Sequence, residues 1–235
     1  MTQTEKSRTR VKICGLRDVD TIRSMNRLPV DEIGFVFAKS RRQVSPELAG
    51  ELIQEVKLLQ TPAGQPPRTV GVFVNAELES LRQLLLTAPL DVIQLHGEET
   101  PELCHSIRQE LNVDVWKVFS VTESEQHSNS DHDGSISEGP KRLEPYRGKV
   151  DAFLIDTAGG GTGQTFAWHV IDRYAAAAKS IGVPLYVAGG LHPDNVNDLL
   201  EQHHPGGVDV SSGVETEGIK DSDKIKRFVE RVKRV

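Results

Sequence analysis

Eight short apolar runs, separated by stretches with helical periodicity, constrain this chain more than anything else in it. The runs lie at 11–14, 32–37, 69–74, 92–95, 115–120, 151–156, 185–188 and 208–210. The sixth, centred on Ala152-Phe153-Leu154-Ile155, is continuously apolar, the pattern of a strand buried on both faces as in parallel sheets. Helical patterns occupy 18–25, 45–59, 77–86, 101–111, 168–181, 194–203 and 222–232, with a short helix remnant at 141–147. Asp18 is placed to cap the first, and Ser45 before Pro46 starts the second in the preferred way. Along that second helix Leu48, Leu52, Ile53 and Val56 share one face. Strand–helix units repeated eight times within 235 residues predict an α/β protein, a closed (β/α)8 TIM barrel forming one domain over 11–235. The competing architecture is an open doubly wound sheet. It asks for a glycine-rich dinucleotide turn after the first strand, and Cys14-Gly15-Leu16-Arg17 supplies none.

Two pieces break the pattern. Residues 1–10 are polar, have no signal-peptide core and read as a disordered lead-in. Residues 122–139 are rich in Ser, Glu, Asp and His with almost no apolar side chain, and read as a mobile polar insertion after the fifth strand. His127 and His132 within it read as solvated loop residues rather than metal ligands.

Charge and cysteine usage narrow the function classes. A net charge of −6 argues against nucleic acid as a partner, though it leaves room for a local basic pocket. The two cysteines, Cys14 and Cys104, fall in different elements without metal-type spacing, which fits a reducing compartment and no disulfide framework. No apolar run approaches membrane-spanning length, so the chain reads as cytoplasmic, without a membrane partner. Monomer and homodimer both remain open.

In a barrel the carboxyl ends of all strands converge on one face, and the residues there can be taken together. Asp156 ends the sixth run and opens into a loop carrying Gly159, Gly160, Gly161 and Gly163. It reads either as a helix cap or as a carboxylate at a site whose glycines approach an anion. Gly189 and Gly190 follow the seventh run, and Ser211, Ser212 and Gly213 follow the eighth, where barrels commonly cradle phosphate. A phosphorylated small-molecule substrate is therefore expected. Across from that cradle stand Cys14, Arg42, Gln94 and His96. Cys14 is either a small core residue or a thiol left accessible by Gly15 and drawn toward thiolate by Lys12; Cys104, inside a helix, keeps the core reading. Cys14 and Asp156 can flank a ligand as base and acid, a pairing suited to proton transfer without a cofactor. Arg42 reads equally as a fork for a carboxylate or as a solvated loop arginine like Arg41.

These residues occur in a recognisable series: Lys12-Ile13-Cys14-Gly15, Gly34-Phe35-Val36-Phe37 with Lys39-Ser40-Arg41-Arg42, Gly71-Val72-Phe73-Val74-Asn75, Gln94-Leu95-His96-Gly97-Glu98-Glu99, Leu154-Ile155-Asp156-Thr157, Ala188-Gly189-Gly190-Leu191 and Asp209-Val210-Ser211-Ser212-Gly213-Val214-Glu215. From Val11 onward the chain resembles the phosphoribosylanthranilate isomerases of tryptophan biosynthesis, departing at 122–139, where that family has an ordinary fifth helix. The resemblance implies an Amadori rearrangement of N-(5-phosphoribosyl)anthranilate to 1-(2-carboxyphenylamino)-1-deoxyribulose 5-phosphate, with no cofactor and no metal. It implies that Asp156 is the general acid, that Cys14 is the general base and that Arg42 meets the anthranilate carboxylate. Gln94, His96 and Asp209 match pocket positions. Two rival readings are a histidine-pathway phosphosugar isomerase, which would end the first strand on Asp rather than Cys, and a non-catalytic phosphate-ligand barrel.

Overall fold

The computed structural model describes residues 9–121, 139–157 and 168–234. Its parallel strands close in sequence order: β1 (Arg10–Cys14), β2 (Glu32–Val36), β3 (Arg68–Phe73), β4 (Val92–Leu95), β5 (Asp114–Val121), β6 (Ala152–Thr157), β7 (Leu185–Val187) and β8 (Gly207–Val210). β8 returns to β1 with Val11 beside Val208 and Lys12 beside Asp209, so the ring has no open edge. The barrel expected from the alternating runs is the fold found. Its helices are α1 (Val19–Ser24), α2 (Pro46–Lys57), α3 (Leu78–Thr87), α4 (Pro101–Leu111), α5 (Ile171–Ile181), α6 (Val196–Gln202) and α7 (Ser222–Arg234). The helix remnant before β6 is a three-ten helix, Pro140–Tyr146, with Leu143 buried. No helix among the described residues is long and apolar enough to cross a membrane.

Local chemistry starts these helices. Asp18, Ser45 and Thr100 each accept a backbone N–H three residues ahead, and proline follows the cap in α2 and α4. The buried face of α2 is Ala49, Leu52, Ile53 and Val56, a helical stripe; Leu48, expected on that face, packs against the same core in the first turn and is half-buried. In α7 the stripe Ile225, Phe228, Val229 and Val232 packs against the barrel. Each such side chain contributes roughly 1.5–3 kcal/mol when fully buried.

Strand alternation separates two apolar regions. Ile33, Phe35, Ile93, Leu95, Phe153 and Ile155 face the helices and join their core. Val70, Val92, Trp116, Val118, Ala152, Leu154, Tyr186 and Ala188 face inward and form a cluster of their own. Its floor is the Trp116–Tyr186 pair, ring centroids 4.4 Å apart. Gly207 is needed beside it, since a Cβ there would lie 2.3 Å from the Tyr186 ring. Below the rings Tyr186 donates to the wholly buried Glu32 at 2.9 Å, and Arg10 also pairs with Glu32. Three aspartates stitch the same end: Asp31, Asp91 and Asp151, each just before an even-numbered strand, accept N–H groups of Val11 (2.7 Å), Thr69 (2.7 Å) and Val115 (2.9 Å).

The expected lead-in stops short of residue 10, because Arg10 already pairs with Gly207 in the barrel and Thr9 donates to the Pro205 carbonyl. Residues 1–8 lie outside the described residues, as do 122–138 of the expected insertion and Gly159, Gly160, Gly161 and Gly163.

Candidate active site

The carboxyl ends of the strands enclose a cavity of about 460 Å³. Ten of the sequence-predicted residues line it: Cys14, Arg42, Gln94, His96, Asp156, Gly189, Gly190, Asp209, Ser211 and Ser212. Gly213 is not in its wall. A Cβ at Gly213 would sit 1.8 Å from the Leu191 carbonyl oxygen, so this glycine lets the loop after β8 pack on the loop after β7. Gly163 lies outside the described residues.

Cys14 ends β1 facing inward, and it is buried, 7 % exposed, rather than opened to solvent by Gly15. Gly15 has another task. Its φ of +81° is in the left-handed region, and a Cβ there would lie 2.6 Å from Arg42 Cδ and 3.2 Å from Ser211 Oγ, both of which cross this point. Burial pushes the Cys14 thiol pKa up, the Lys12 ammonium opposes that, Asp209 adds to it and Lys220 opposes it again. Lys12, two residues earlier on the same inward face, is wholly buried and donates to Asp209 Oδ2 at 2.9 Å. Burial disfavours its charge, but Asp209 and Cys14 outweigh that and raise its pKa, so it remains an ammonium. Asp209 Oδ1 and Gln94 Oε1 are buried and have no hydrogen-bond partner among the described residues. Two orphan acceptors at a cavity ask for hydroxyl or N–H donors from a ligand.

His96 follows β4, with Nε2 4.0 Å from Asp156 Oδ2; Asp156 itself is 7 % exposed at the end of β6. Burial, then the charge of Lys117, lowers the His96 pKa, so the imidazole is neutral near pH 7. Its loop is fixed from behind. Glu99 accepts from Asn75 N (2.8 Å), Gly97 N (2.9 Å) and Lys117 Nζ (3.0 Å), and Lys117 also donates to the Gly97 carbonyl at 2.7 Å. Burial works against the Glu99 carboxylate, yet Lys117 and these backbone donors hold its pKa below the usual range.

Arg42 stands at the rim, and its fork already grips a protein carboxylate. Nε and Nη2 donate to Glu215 Oε1 and Oε2 at 2.6 and 2.9 Å. Arg41 donates to Glu215 Oε2 at 2.9 Å with its side chain 59 % exposed, so it is not the wholly solvated arginine expected. Lys220, from a short hairpin β9 (Glu215–Thr216) and β10 (Ile219–Lys220), adds a fourth bond to Glu215 at 2.8 Å and one to the Ser211 carbonyl at 2.9 Å. Burial pushes Glu215 up, but Arg42 and Lys220 prevail and hold it at about 2. Sequence reasoning quoted Glu215 only within a motif and missed Lys220; the signal was a carboxylate and a lysine flanking a two-residue turn, Glu217-Gly218. On the cradle side, Gly189 and Gly190 take φ of +90° and +63°, and Ser211 Oγ donates to the Cys14 carbonyl at 3.1 Å. Among the described residues no group of three or more His, Cys, Asp or Glu is placed to hold a metal ion.

The family model for N-(5'phosphoribosyl)anthranilate (PRA) isomerase matches residues 11–231. A relative named N-(5'-phosphoribosyl)anthranilate isomerase, from Brevibacillus brevis (strain 47), is 43% identical over 96% of this chain and 94% of its own length. The solved phosphoribosyl anthranilate isomerase of Thermotoga maritima is 33% identical with a TM-score of 0.75, covering 97% of this chain and 100% of that one. A phosphoribosyl anthranilate isomerase solved with reduced 1-(o-carboxyphenylamino)-1-deoxyribulose 5-phosphate is 33% identical with a TM-score of 0.72, over 97% of this chain and 100% of that one. A closed barrel, a cavity lined at the strand ends by the expected series and a match from end to end of the barrel agree: the chain belongs to the N-(5'-phosphoribosyl)anthranilate isomerase family.

Proposed function

We infer that this isomerase converts N-(5'-phosphoribosyl)anthranilate to 1-(2-carboxyphenylamino)-1-deoxyribulose 5-phosphate by proton transfers between Asp156, Cys14 and the substrate. The carrying observation is that Cys14 and Asp156, from β1 and β6, line one cavity whose remaining wall offers glycines, serines and Arg42. Asp156, protonated, gives its proton to the furanose ring oxygen; the C1–O bond breaks and the amine nitrogen supplies the electrons of a C1=N iminium. The Cys14 thiolate then takes the C2 proton, and the C2–H electrons form C1=C2 as the iminium becomes the neutral enolamine. Loss of the 2-hydroxyl proton and protonation at C1 give the ketone. General acid and base groups of this kind contribute typically about 10²–10⁴-fold each.

The rest of the wall suits this substrate. Asp209 Oδ1 and Gln94 Oε1 accept sugar hydroxyls, which removes their unpaired state. Gly189, Gly190, Ser211 and Ser212 take the phosphate, and Arg42, braced by Glu215, takes the anthranilate carboxylate with the donors that Glu215 leaves. Neutral His96 beside Asp156 adds no charge that would draw the acid's proton away. The test is turnover of phosphoribosylanthranilate by Cys14→Ala and Asp156→Asn, alongside binding of the reduced product analogue. Loss of about 10²-fold or more in kcat with analogue affinity retained is expected; near-normal kcat in either variant removes that residue from the mechanism.

A further inference from the structure

Outside the acid, the base and the substrate contacts, one buried charge lies against the reacting groups without a role. Lys12 is 0 % exposed, so it cannot touch solvent, and its Nζ donates to Asp209 Oδ2 at 2.9 Å. Its charge also acts on the Cys14 side chain, lowering the thiol pKa against the larger effect of burial. The two side chains meet over Gly34 of β2. A Cβ there would lie 2.8 Å from Cys14 Sγ and 3.2 Å from Lys12 Nζ, so any side chain at position 34 would press on both. Burying an ammonium for stability alone is a poor arrangement, because an apolar residue of similar volume commonly serves as well. A lysine beside a cysteine, by contrast, is a recognised way to favour the thiolate.

We propose that Lys12 is a positioning residue for the reaction: anchored by Asp209, its ammonium works against the burial of Cys14 and draws the sulfur toward the thiolate that accepts the C2 proton. The inference rests on Cys14 being the base. Of the groups that face the sulfur, Lys12 comes from β1, Asp209 from β8 and Lys220 from β10; the two ammoniums favour the thiolate and the carboxylate opposes it. Lys220 is committed to Glu215 and the Ser211 carbonyl, which leaves Lys12, packed beside the sulfur over Gly34, as the stronger of the two cations acting on it.

The experiment titrates Cys14 without substrate, so that it stands apart from the catalytic reading. Lys12→Met keeps the length of the side chain and removes its charge. Lys12→Met/Asp209→Asn removes both charges of the pair and guards against misfolding caused by an unpaired Asp209. The rate of iodoacetamide alkylation at Cys14, followed by peptide mass spectrometry with buried Cys104 as internal reference, is measured from pH 7 to 10. Lys12→Met should alkylate about three- to tenfold more slowly at pH 8, because the thiolate fraction falls about tenfold per unit rise in pKa while each thiolate becomes somewhat more nucleophilic. The double variant, which also loses the opposing Asp209 charge, should slow in the same direction but less. The acid limb of kcat/KM in Lys12→Met should move to higher pH, which a loss of packing alone would not do. Unchanged alkylation in the folded variants overturns the role of Lys12. Slowed alkylation with an unmoved kcat/KM limb instead overturns Cys14 as the base, and with it the reason for holding a thiolate there.

Discussion

Glu32 offers a quantitative test of how the floor of the barrel is held. Its carboxyl is wholly buried under Tyr186 and Trp116, with Oε2 unpaired among the described residues. Burial is the larger influence and, with help from Asp31, outweighs Arg10, raising the pKa from 4.5 to about 7. The folded chain therefore keeps a proton on Glu32 through a range where the unfolded chain has lost it. That contribution is fully present below the unfolded value and is lost as pH climbs from about 4.5 to about 7. At about 1.36 kcal/mol per unit the loss is on the order of 3 kcal/mol. For a domain of this size 1 kcal/mol moves Tm by roughly 2–4 °C, which makes about 6–12 °C. Glu32→Gln removes the titration and keeps an oxygen to accept from the Tyr186 hydroxyl. Thermal unfolding of both proteins at pH 5 and pH 8 is the assay. The variant should gain on the parent as pH rises, and a difference in Tm that stays constant from pH 5 to 8 would falsify the assignment of a buried, protonated Glu32.

Two further outcomes are expected. Arg42→Lys should raise KM by roughly 10–100-fold, because an ammonium cannot reproduce the fork that Glu215 braces, whereas Arg41→Lys, whose side chain is 59 % exposed, should stay within a few-fold. Equal effects in steady-state kinetics would mean that the wrong arginine has been placed at the carboxylate. Replacing residues 122–139 with a short Gly/Ser link should leave kcat/KM within a few-fold, since their composition is almost wholly polar and lengthening a loop costs only about 0.6 kcal/mol per doubling. A loss on the order of 10²-fold with an unchanged far-ultraviolet spectrum would show that the segment takes part in closing the site.

What the sequence made legible follows from which interactions are local. Strand and helix positions were readable because each reports its own periodicity and caps, as with Asp18 before α1 and Ser45-Pro46 before α2. The gathering of Cys14, Gln94, His96, Asp156 and Asp209 was readable because barrel topology brings strand ends together once eight strands are counted. The partners of those residues were not. Arg42 meets Glu215 across 173 positions and Lys12 meets Asp209 across 197, and no local pattern announces either pair. Gly15 was misread for the same reason. Its neighbour in sequence is Cys14, but the atoms that need its missing side chain belong to Arg42 and Ser211. The aspartate stitches at Asp31, Asp91 and Asp151 went unnoticed because an acid before an apolar run looks like an ordinary turn residue.

The charges at the mouth of the barrel are better understood as geometry than as stability. Lys12–Asp209 and Arg42–Glu215–Lys220 are buried or nearly so, and exchanging such groups for apolar ones is often neutral or stabilising, while deleting one partner costs about 3–5 kcal/mol. A lone substitution at Glu215 would therefore confound unfolding with loss of function. What the network supplies is fixed position: β1, the loop after β2, β8 and the β9–β10 hairpin are tied to one another through side chains that reach the cavity. Proton transfer needs the base and the carboxylate clamp held in register with a single bound substrate, and a few tenths of an ångström at either end count. Arg42→Lys tests this. If charge balance were the purpose, the variant would keep both fold and activity, because a cation still meets Glu215 beside Arg41 and Lys220. If position is the purpose, it keeps the fold alone, because an ammonium cannot serve Glu215 and the substrate carboxylate from one fixed fork.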